Sequence, residues 1–162
     1  MKHKYWGKVE EDWAGFSTER LFISPYFDSK EVTIFLGEEY DEDGEEIESV
    51  PPEDELNNYE ATYINFLKNI DEIIETIQQV TFDRYVKLYA HYYENEEKSG
   101  EKPLGVFTKE KHFDYIKDIN YIRILENSNI KIPIHYKIDT ENGIEIRLEN
   151  NKVIDVGGIA ET

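Results

Sequence analysis

The stretch IKIPIHYKIDTENGIEIRLENNKVIDVG, residues 130–157, decides the fold class of this chain. Apolar side chains occupy alternate positions along most of it, and Asn and Gly residues lie between the alternating segments. A period of two is typical of strands that bury one face, and Asn-Gly and Asn-Asn pairs are typical of tight turns. The stretch therefore predicts a C-terminal β-meander of antiparallel strands.

The first corner of the predicted meander contains Asn142-Gly143. A two-residue turn there would place carboxylates on the apolar face, which the burial pattern disfavours. A three-residue loop over 141–143 instead pairs Ile138 with Ile146 and puts Gly143 in the left-handed conformation that glycine tolerates. We therefore expect the three-residue loop and interpret Asp139 and Glu141 as turn residues.

The second corner lies at 150–152, and its register is open. The burial pattern favours a three-residue loop that pairs Leu148 with Ile154. Local chemistry disagrees, because Asn150-Asn151 suits a type I′ turn and Lys152 is a poor left-handed residue.

Pro133 constrains the first strand of the meander, since proline donates no hydrogen bond to a sheet. We expect this strand at an edge, or with the nitrogen of residue 133 facing outward. His135 falls on the outer face of the same strand.

The remaining sequence predicts further strands and a helical region. Short aromatic or alternating segments indicate strands at 5–9, 13–16, 21–24 and 31–37, and Asp43-Gly44 indicates the tip of an acidic hairpin. Apolar residues at helical spacing predict helices over 53–68 and 71–93, separated near Asn69, and a short third helix over 109–117 with Thr108 as its N-cap. The predicted fold is α+β: a mostly antiparallel sheet, built from N-terminal strands and the C-terminal meander, packed against an α-hairpin.

Length and composition indicate one globular domain spanning residues 1–162. The chain is 39% hydrophobic and 14% aromatic, which is too apolar for a disordered acidic chain. It has no apolar run long enough for a membrane span and no apolar segment near its start that would suggest a signal peptide. With zero cysteines it also lacks disulfides, and we expect a cytoplasmic protein.

Net charge restricts the possible partners. A formal charge of -18 repels phosphate backbones and anionic lipids, so we expect neither nucleic acid nor membrane as a partner. Residues 31–67 contain no Lys or Arg, and acidic residues are dense in this region. A surface of one sign steers a basic protein toward it. The candidate binding carboxylates are Glu38, Glu39, Asp41, Asp43, Glu45 and Glu46.

Motifs for catalysis, metals and cofactors are missing from the sequence. The four histidines have no metal-binding spacing, and there is no nucleophile motif, phosphate-binding loop or dinucleotide fingerprint. Asp41, Asp43 and Gly44 resemble the middle of an EF-hand loop, but its twelfth position would be Val50 where a Glu is required. We therefore expect no catalytic residue, metal or cofactor, and an enzyme is the less favoured hypothesis.

The alternative hypothesis is an enzyme or small-ligand protein with a site between helix 71–93 and the sheet. Its polar lining would be Tyr85, Tyr89, His91, His135 and Tyr136. A deep pocket with convergent polar groups would favour this hypothesis.

The closing segment DTENGIEIRLENNKVIDVGGIAET, residues 139–162, resembles the end of an uncharacterised bacterial family of domains of unknown function. That family ends approximately in Asp-x-Glu-His-Gly followed by Val-Val-x-Ile-Gly. The matching positions here are Asp139, Glu141, Gly143, Val153, Ile154, Val156 and Gly157, while Asn142 stands where relatives often carry histidine. Residues 59–77 are similar to the helix-asparagine-helix part of these domains. The resemblance implies a fold type and a bacterial origin.

Together these observations favour a non-catalytic acidic bacterial protein that acts through protein–protein contact. An immunity-type inhibitor that covers the basic site of a toxin is one concrete form. Oligomerisation through a sheet edge is a third hypothesis.

Overall fold

The structure is a computed structural model, and it describes residues 1–159. The first strands are β1 (Lys2–His3), β2 (Gly7–Lys8), β3 (Glu10–Asp12), β4 (Gly15–Phe22) and β5 (Val32–Leu36). The helices are α1 (Glu53–Lys68), α2 (Ile70–Leu88), α3 (Ala90–Tyr93), α4 (Glu96–Ser99) and α5 (Lys109–Phe113). The last strands are β6 (Asp118–Ile119), β7 (Ile122–Leu125), β8 (Asn129–His135), β9 (Ile144–Glu149) and β10 (Lys152–Gly157).

The main sheet is eight-stranded and mostly antiparallel. Its order is β10-β9-β8-β7-β5-β4-β3, and β6 also pairs with β8. The single parallel pair among the described strands joins β5 to β7, because the chain segment between them carries all five helices and returns to the same end of the sheet. The fold is therefore α+β with a partly mixed sheet, as the sequence predicts in outline.

The core lies between one face of this sheet and the first two helices. Alternate residues of β7, β8 and β9 are buried there, together with residues of α1 and α2 at helical spacing. The sheet contributes Ile122, Ile124, Ile130, Ile132, Ile134, Ile144, Ile146 and Leu148, and the helices contribute Leu56, Tyr63, Phe66, Ile73, Ile74 and Ile77.

The helices follow the predicted pattern with shorter ends. The first predicted helix matches α1, and the break at Asn69 is confirmed, although the Asn69 side chain donates to the carbonyl of Asn65 rather than capping α2. Tyr89 interrupts the second predicted helix, so α2 ends at Leu88. The Thr108 hydroxyl accepts from the amide of Lys111 at 3.1 Å, which confirms this cap, but α5 ends at Phe113. The antiparallel packing of α1 on α2 stays a prediction.

None of the helices within residues 1–159 is long and apolar enough to cross a membrane.

The register predicted for the first corner of the meander is wrong. Ile146 pairs with Ile132 rather than with Ile138, and Ile144 pairs with Ile134, so the connection is the longer loop 136–143. Both registers place an isoleucine opposite Ile146, and the alternating pattern cannot distinguish them. The left-handed conformation of Gly143 is confirmed, with a φ of 65°.

Pro133 lies in a central strand, because β8 pairs with β7 and β6 on one side and with β9 on the other. The carbonyl of Pro133 accepts from the amide of Asn120 at 2.9 Å. Since the nitrogen and carbonyl of one strand residue point to the same side, the proline nitrogen faces the interruption between β6 and β7. A break in the neighbouring strand therefore accommodates the missing donor, and the edge position is wrong.

Both arguments about the second corner contribute to the observed register. Asn150 and Asn151 have φ of 52° and 66°, as a type I′ turn requires, and Lys152 pairs with Glu149. The register then shifts at Ile154, and Val156 pairs with Ile146. A bulge thus joins the turn that local chemistry favours to the pairing that burial favours.

Replacing Gly143 with Ala should destabilise the fold more than the same change at Gly44. Both glycines have positive φ, so each alanine carries a backbone cost of roughly 1–2 kcal/mol. At Gly143 the added Cβ would also lie 2.6 Å from Ile159 Cδ1 and 3.1 Å from the Ile134 carbonyl oxygen, whereas nothing lies within 4 Å at Gly44. Urea denaturation should show an additional loss of about 1–2 kcal/mol for Gly143→Ala. Equal losses in the two variants would contradict the tight packing around Gly143.

Candidate functional site

The candidate carboxylates lie on a small hairpin, and one of them organises it. The Oδ1 atom of Asp41 accepts from the backbone amides of Asp43 and Glu45, each at 2.9 Å. Gly44 has a φ of 80°, and Tyr40 forms an isolated bridge with Glu46. Asp41 is therefore a turn residue, which explains why this segment resembles the middle of a calcium loop. No group of three His, Asp or Glu side chains within residues 1–159 could hold a metal ion.

Trp13 lies beside this hairpin and is 65% exposed despite its size. Its ring makes edge-to-face contacts with Phe35, at a centroid distance of 5.1 Å, and with Tyr121, at 5.3 Å. Its backbone amide donates to Asp12 Oδ1 at 2.8 Å. The indole is thus held in place while most of its surface faces solvent.

Arg123 supports this arrangement from inside the sheet. It is only 5% exposed, and its guanidinium donates to the carbonyl of Gly37 at 2.8 Å and to the carbonyl of Ala14 at 2.6 Å. The same group lies 5.2 Å from the ring centroid of Phe35 and 5.4 Å from that of Tyr121. One buried cation therefore fixes the turn after Trp13, the start of the acidic hairpin and the aromatic rings between them.

A cavity of about 290 Å³ lies between these elements. Its lining is Glu38, Glu39, Tyr40, Tyr121, Arg123, Lys131, Glu145 and Ile159. We define the acidic–aromatic face as Trp13, Glu38, Glu39, Tyr40 and Tyr121 together with Asp41, Asp43, Glu45 and Glu46. The negative charge of Glu39, and the hydrogen bond that the Tyr40 hydroxyl donates to its carboxylate, raise the pKa of Tyr40.

The residues of the alternative hypothesis are only partly brought together. Tyr85, Tyr89 and Tyr136 form one cluster, in which Tyr89 stacks on Tyr85 and meets Tyr136 edge to face. His91 and His135 are both exposed and take no part in the contacts of this cluster.

Each tyrosine hydroxyl of the cluster is hydrogen-bonded to another side chain. Tyr85 donates to Glu94 at 2.6 Å and Tyr89 donates to Asp139 at 2.7 Å, while Tyr136 lies 2.7 Å from His112 Nε2. None of these three tyrosines lines any of five surface cavities of about 290–700 Å³ that residues 1–159 form. The cluster is therefore a packed polar part of the core.

Asp139 and Glu94 are the acceptors that complete this cluster. Burial alone would raise the pKa of Asp139, but hydrogen bonds from Asn142 and Tyr89 outweigh it and hold the pKa below its usual value. The pKa of Glu94 is also below its usual value. Burial would raise it, but the carboxylate accepts hydrogen bonds from the Tyr85 hydroxyl and from the amides of Val106 and Gly105, which lower it. Asp139 and Asn142 thus form a turn that also anchors Tyr89, while Glu141 is exposed.

His112 is the buried centre of the cluster. Burial, and to a smaller extent the nearby charge of Arg84, lowers the pKa of His112 from 6.5 to about 4. Its Nδ1 atom and the Nη1 atom of Arg84 are buried without hydrogen-bond partners among residues 1–159. The imidazole is therefore neutral at neutral pH.

Sequence reasoning missed Trp13, Arg123 and His112. The sequence does contain an indication of Arg123, because a charged residue between Ile122 and Ile124 is unusual in a strand with apolar neighbours on both sides. The sequence pattern predicts a strand over 13–16, but Trp13 lies in the turn between β3 and β4, and only the tertiary structure shows that its ring is exposed. His112 has no pattern that distinguishes it from the other three histidines.

The stability of the protein should fall as the pH drops from about 6.5 to about 4, because of His112. The folded pKa lies below the unfolded value, so the unfolded chain takes up the proton first and unfolding becomes more favourable. The full effect is up to about 3 kcal/mol. Denaturation at about pH 7 and about pH 5 should show a weaker pH dependence in His112→Gln, which keeps a partner for Tyr136 but does not titrate. His135→Gln, an exposed control, should behave like the wild type; an unchanged dependence in His112→Gln would contradict this assignment.

Comparison with known proteins gives a family without an assigned activity. No curated protein and no solved structure matches the chain. The family model that matches covers residues 5–161, which is nearly the whole chain. The finer likeness of segment 139–162 to a particular C-terminal motif stays a prediction, and its residues 160–162 lie outside the described part of the structure. The chain belongs to the family described as Domain of unknown function (DUF6985).

Proposed function

We propose that this protein is a non-catalytic acidic bacterial protein that binds a basic protein partner through its acidic–aromatic face. The observation that carries the proposal is Trp13, a large aromatic side chain that is 65% exposed and yet fixed by ring contacts and a buried arginine. Residues of this kind supply most of the affinity in protein–protein interfaces.

The rigidity of the face reduces the entropy lost on binding. The ring of Trp13 is already held by Phe35 and Tyr121, so little side-chain freedom remains to be lost in a complex. Tyr40, which is 54% exposed, adds a second ring with a polar tip. Burial of these two rings would supply the affinity.

The carboxylates of the face act mainly on recognition and rate. Glu38 and Glu39 border the 290 Å³ cavity, and Asp43, Glu45 and Glu46 are exposed on the adjoining hairpin. A surface of one sign accelerates encounter with a basic partner and rejects acidic ones. Exposed carboxylates should therefore affect association rate and salt dependence more than dissociation rate.

A toxin is the partner class that we favour. An immunity-type protein must cover the site of its toxin, and a toxin that acts on a polyanion such as nucleic acid carries a basic site. The net charge of -18 and the acidic–aromatic face complement such a site. In this proposal the protein acts in the cytoplasm. A chain with zero cysteines forms no disulfides, as is usual for proteins of that compartment.

The alternative function, an enzyme or small-ligand protein with a site between α2 and the sheet, has less support. Its three tyrosines bind other core side chains, and its two histidines are exposed elsewhere. A deep polar pocket at this position would have favoured it.

Replacing Trp13 with Ala should weaken partner binding by about 30-fold or more, because a central aromatic anchor contributes at least about 2 kcal/mol. The partner is first captured from extracts of the native host at low and moderate salt with the wild-type protein. The purified partner is then titrated against the wild type, Trp13→Ala and Glu38→Gln. The last variant should mainly slow association at low salt.

Phe107→Ala is the matched control, because Phe107 is 73% exposed and is not part of the acidic–aromatic face. It should bind like the wild type. Equal binding by Trp13→Ala and Phe107→Ala, or capture of no specific partner at either salt concentration, would overturn the proposal.

A further inference from the structure

A second concave surface lies between α1, the end of β5 and the turn that joins β7 to β8. It consists of two adjoining cavities of about 620 Å³ and about 470 Å³, and we name them together the Tyr59 groove. Both are lined by Glu55, Tyr59, Leu125, Glu126 and Asn127. The shared lining makes this an elongated site.

Tyr59 is only 3% exposed, and its hydroxyl makes no hydrogen bond to another residue within 1–159 but reaches the open space of the groove. It lines both cavities, and its oxygen lies 3.3 Å from the position that a Cβ on Gly37 would occupy. The hydroxyls of Tyr85 and Tyr136, which are similarly buried, bond to other side chains of the core, whereas the hydroxyl of Tyr59 opens onto the groove. An unpartnered hydroxyl in the wall of a groove therefore marks a place where a ligand can bond.

The charged side chains around this hydroxyl determine which sign of charge a ligand should carry. Burial, followed by the carboxylates of Glu55, Glu126 and Glu38, raises the pKa of Tyr59 to about 12. Burial and the charge of Glu126 also raise the pKa of Glu55, so these carboxylates repel one another. Among the described residues Arg147 is the single basic residue lining either cavity. A cation would relieve the repulsion.

A metal ion does not suit this arrangement, because no three acidic or histidine side chains within residues 1–159 converge closely enough to share one. The carboxylates instead line an extended groove. Its walls also include apolar side chains, namely Phe16, Leu36, Ile47, Val50 and Leu125. An extended cation with alternating charged and apolar segments matches both features.

We propose that the Tyr59 groove binds a linear aliphatic polyamine. Its ammonium groups are recognised by the hydroxyl of Tyr59 and the carboxylates of Glu55 and Glu126, and its methylene segments lie against the apolar wall that includes Leu36 and Leu125. This site is separate from the proposed partner surface, although Glu38 borders both.

Spermidine is the probe for this proposal, and its binding is measured by isothermal titration calorimetry at moderate ionic strength. Tyr59→Phe removes only the hydroxyl and should weaken binding by about fivefold to tenfold. Glu126→Gln changes an exposed side chain of the groove and should weaken binding by about threefold to tenfold. Thermal unfolding without ligand shows whether each variant keeps the wild-type stability.

Asp43→Asn is the matched charge control, because it removes one exposed carboxylate from the acidic hairpin outside the groove. This variant should bind spermidine within about twofold of the wild type. Trp13→Ala should also bind spermidine like the wild type, because Trp13 does not line the groove, so the spermidine measurements test this proposal separately from the partner proposal. Butylamine and magnesium chloride at equal ionic strength should compete weakly. Equal losses in Asp43→Asn and Glu126→Gln would show unspecific attraction to an acidic protein. That result, or binding of a lysine-containing peptide but not of spermidine, would overturn the proposal.

Discussion

The burial of one isoleucine-rich face of the sheet against α1 and α2 is the constraint on which the rest of the structure depends. Side chains alternate across a strand, so placing Ile122, Ile132 and Ile146 in the core sends their neighbours to the opposite face. In the observed register Arg123 pairs with Lys131, and Lys131 pairs with Arg147. A row of three basic residues therefore crosses the second face of an acidic protein as a consequence of how the first face is buried.

This second face connects the fold to the proposed function. Arg123, at one end of the row, avoids the cost of burial by donating to backbone carbonyls of two neighbouring turns. Those turns carry Trp13 on one side and Glu38 on the other, so the arginine holds an aromatic ring and an acidic hairpin in one fixed arrangement. A pre-organised surface of this kind suits recognition, because its side chains lose little freedom on binding.

The tyrosines of the core differ in whether their hydroxyl groups are hydrogen-bonded within the fold or open to a groove. Tyr85, Tyr89 and Tyr136 bond to Glu94, Asp139 and His112. These bonds connect α2 and the residues after it with α5 and with the loop that follows β8. Tyr59 is nearly as buried as Tyr85 and Tyr136, but its hydroxyl opens onto a groove lined by carboxylates instead of bonding to another residue within 1–159. The same residue type thus stabilises the fold in one place and offers a polar group to a ligand in another.

The sequence by itself determined the α+β class, the position of α1, the break at Asn69 and the left-handed Gly143, because periodicity and turn chemistry act over a few neighbouring residues. It also identified the acidic hairpin and three tyrosines that cluster. Only the tertiary structure decided the pairing of Ile146 with Ile132, the central position of Pro133 and the exposure of Trp13. Each of these depends on contacts between residues far apart in the chain, and an alternating pattern permits several such pairings with equal burial.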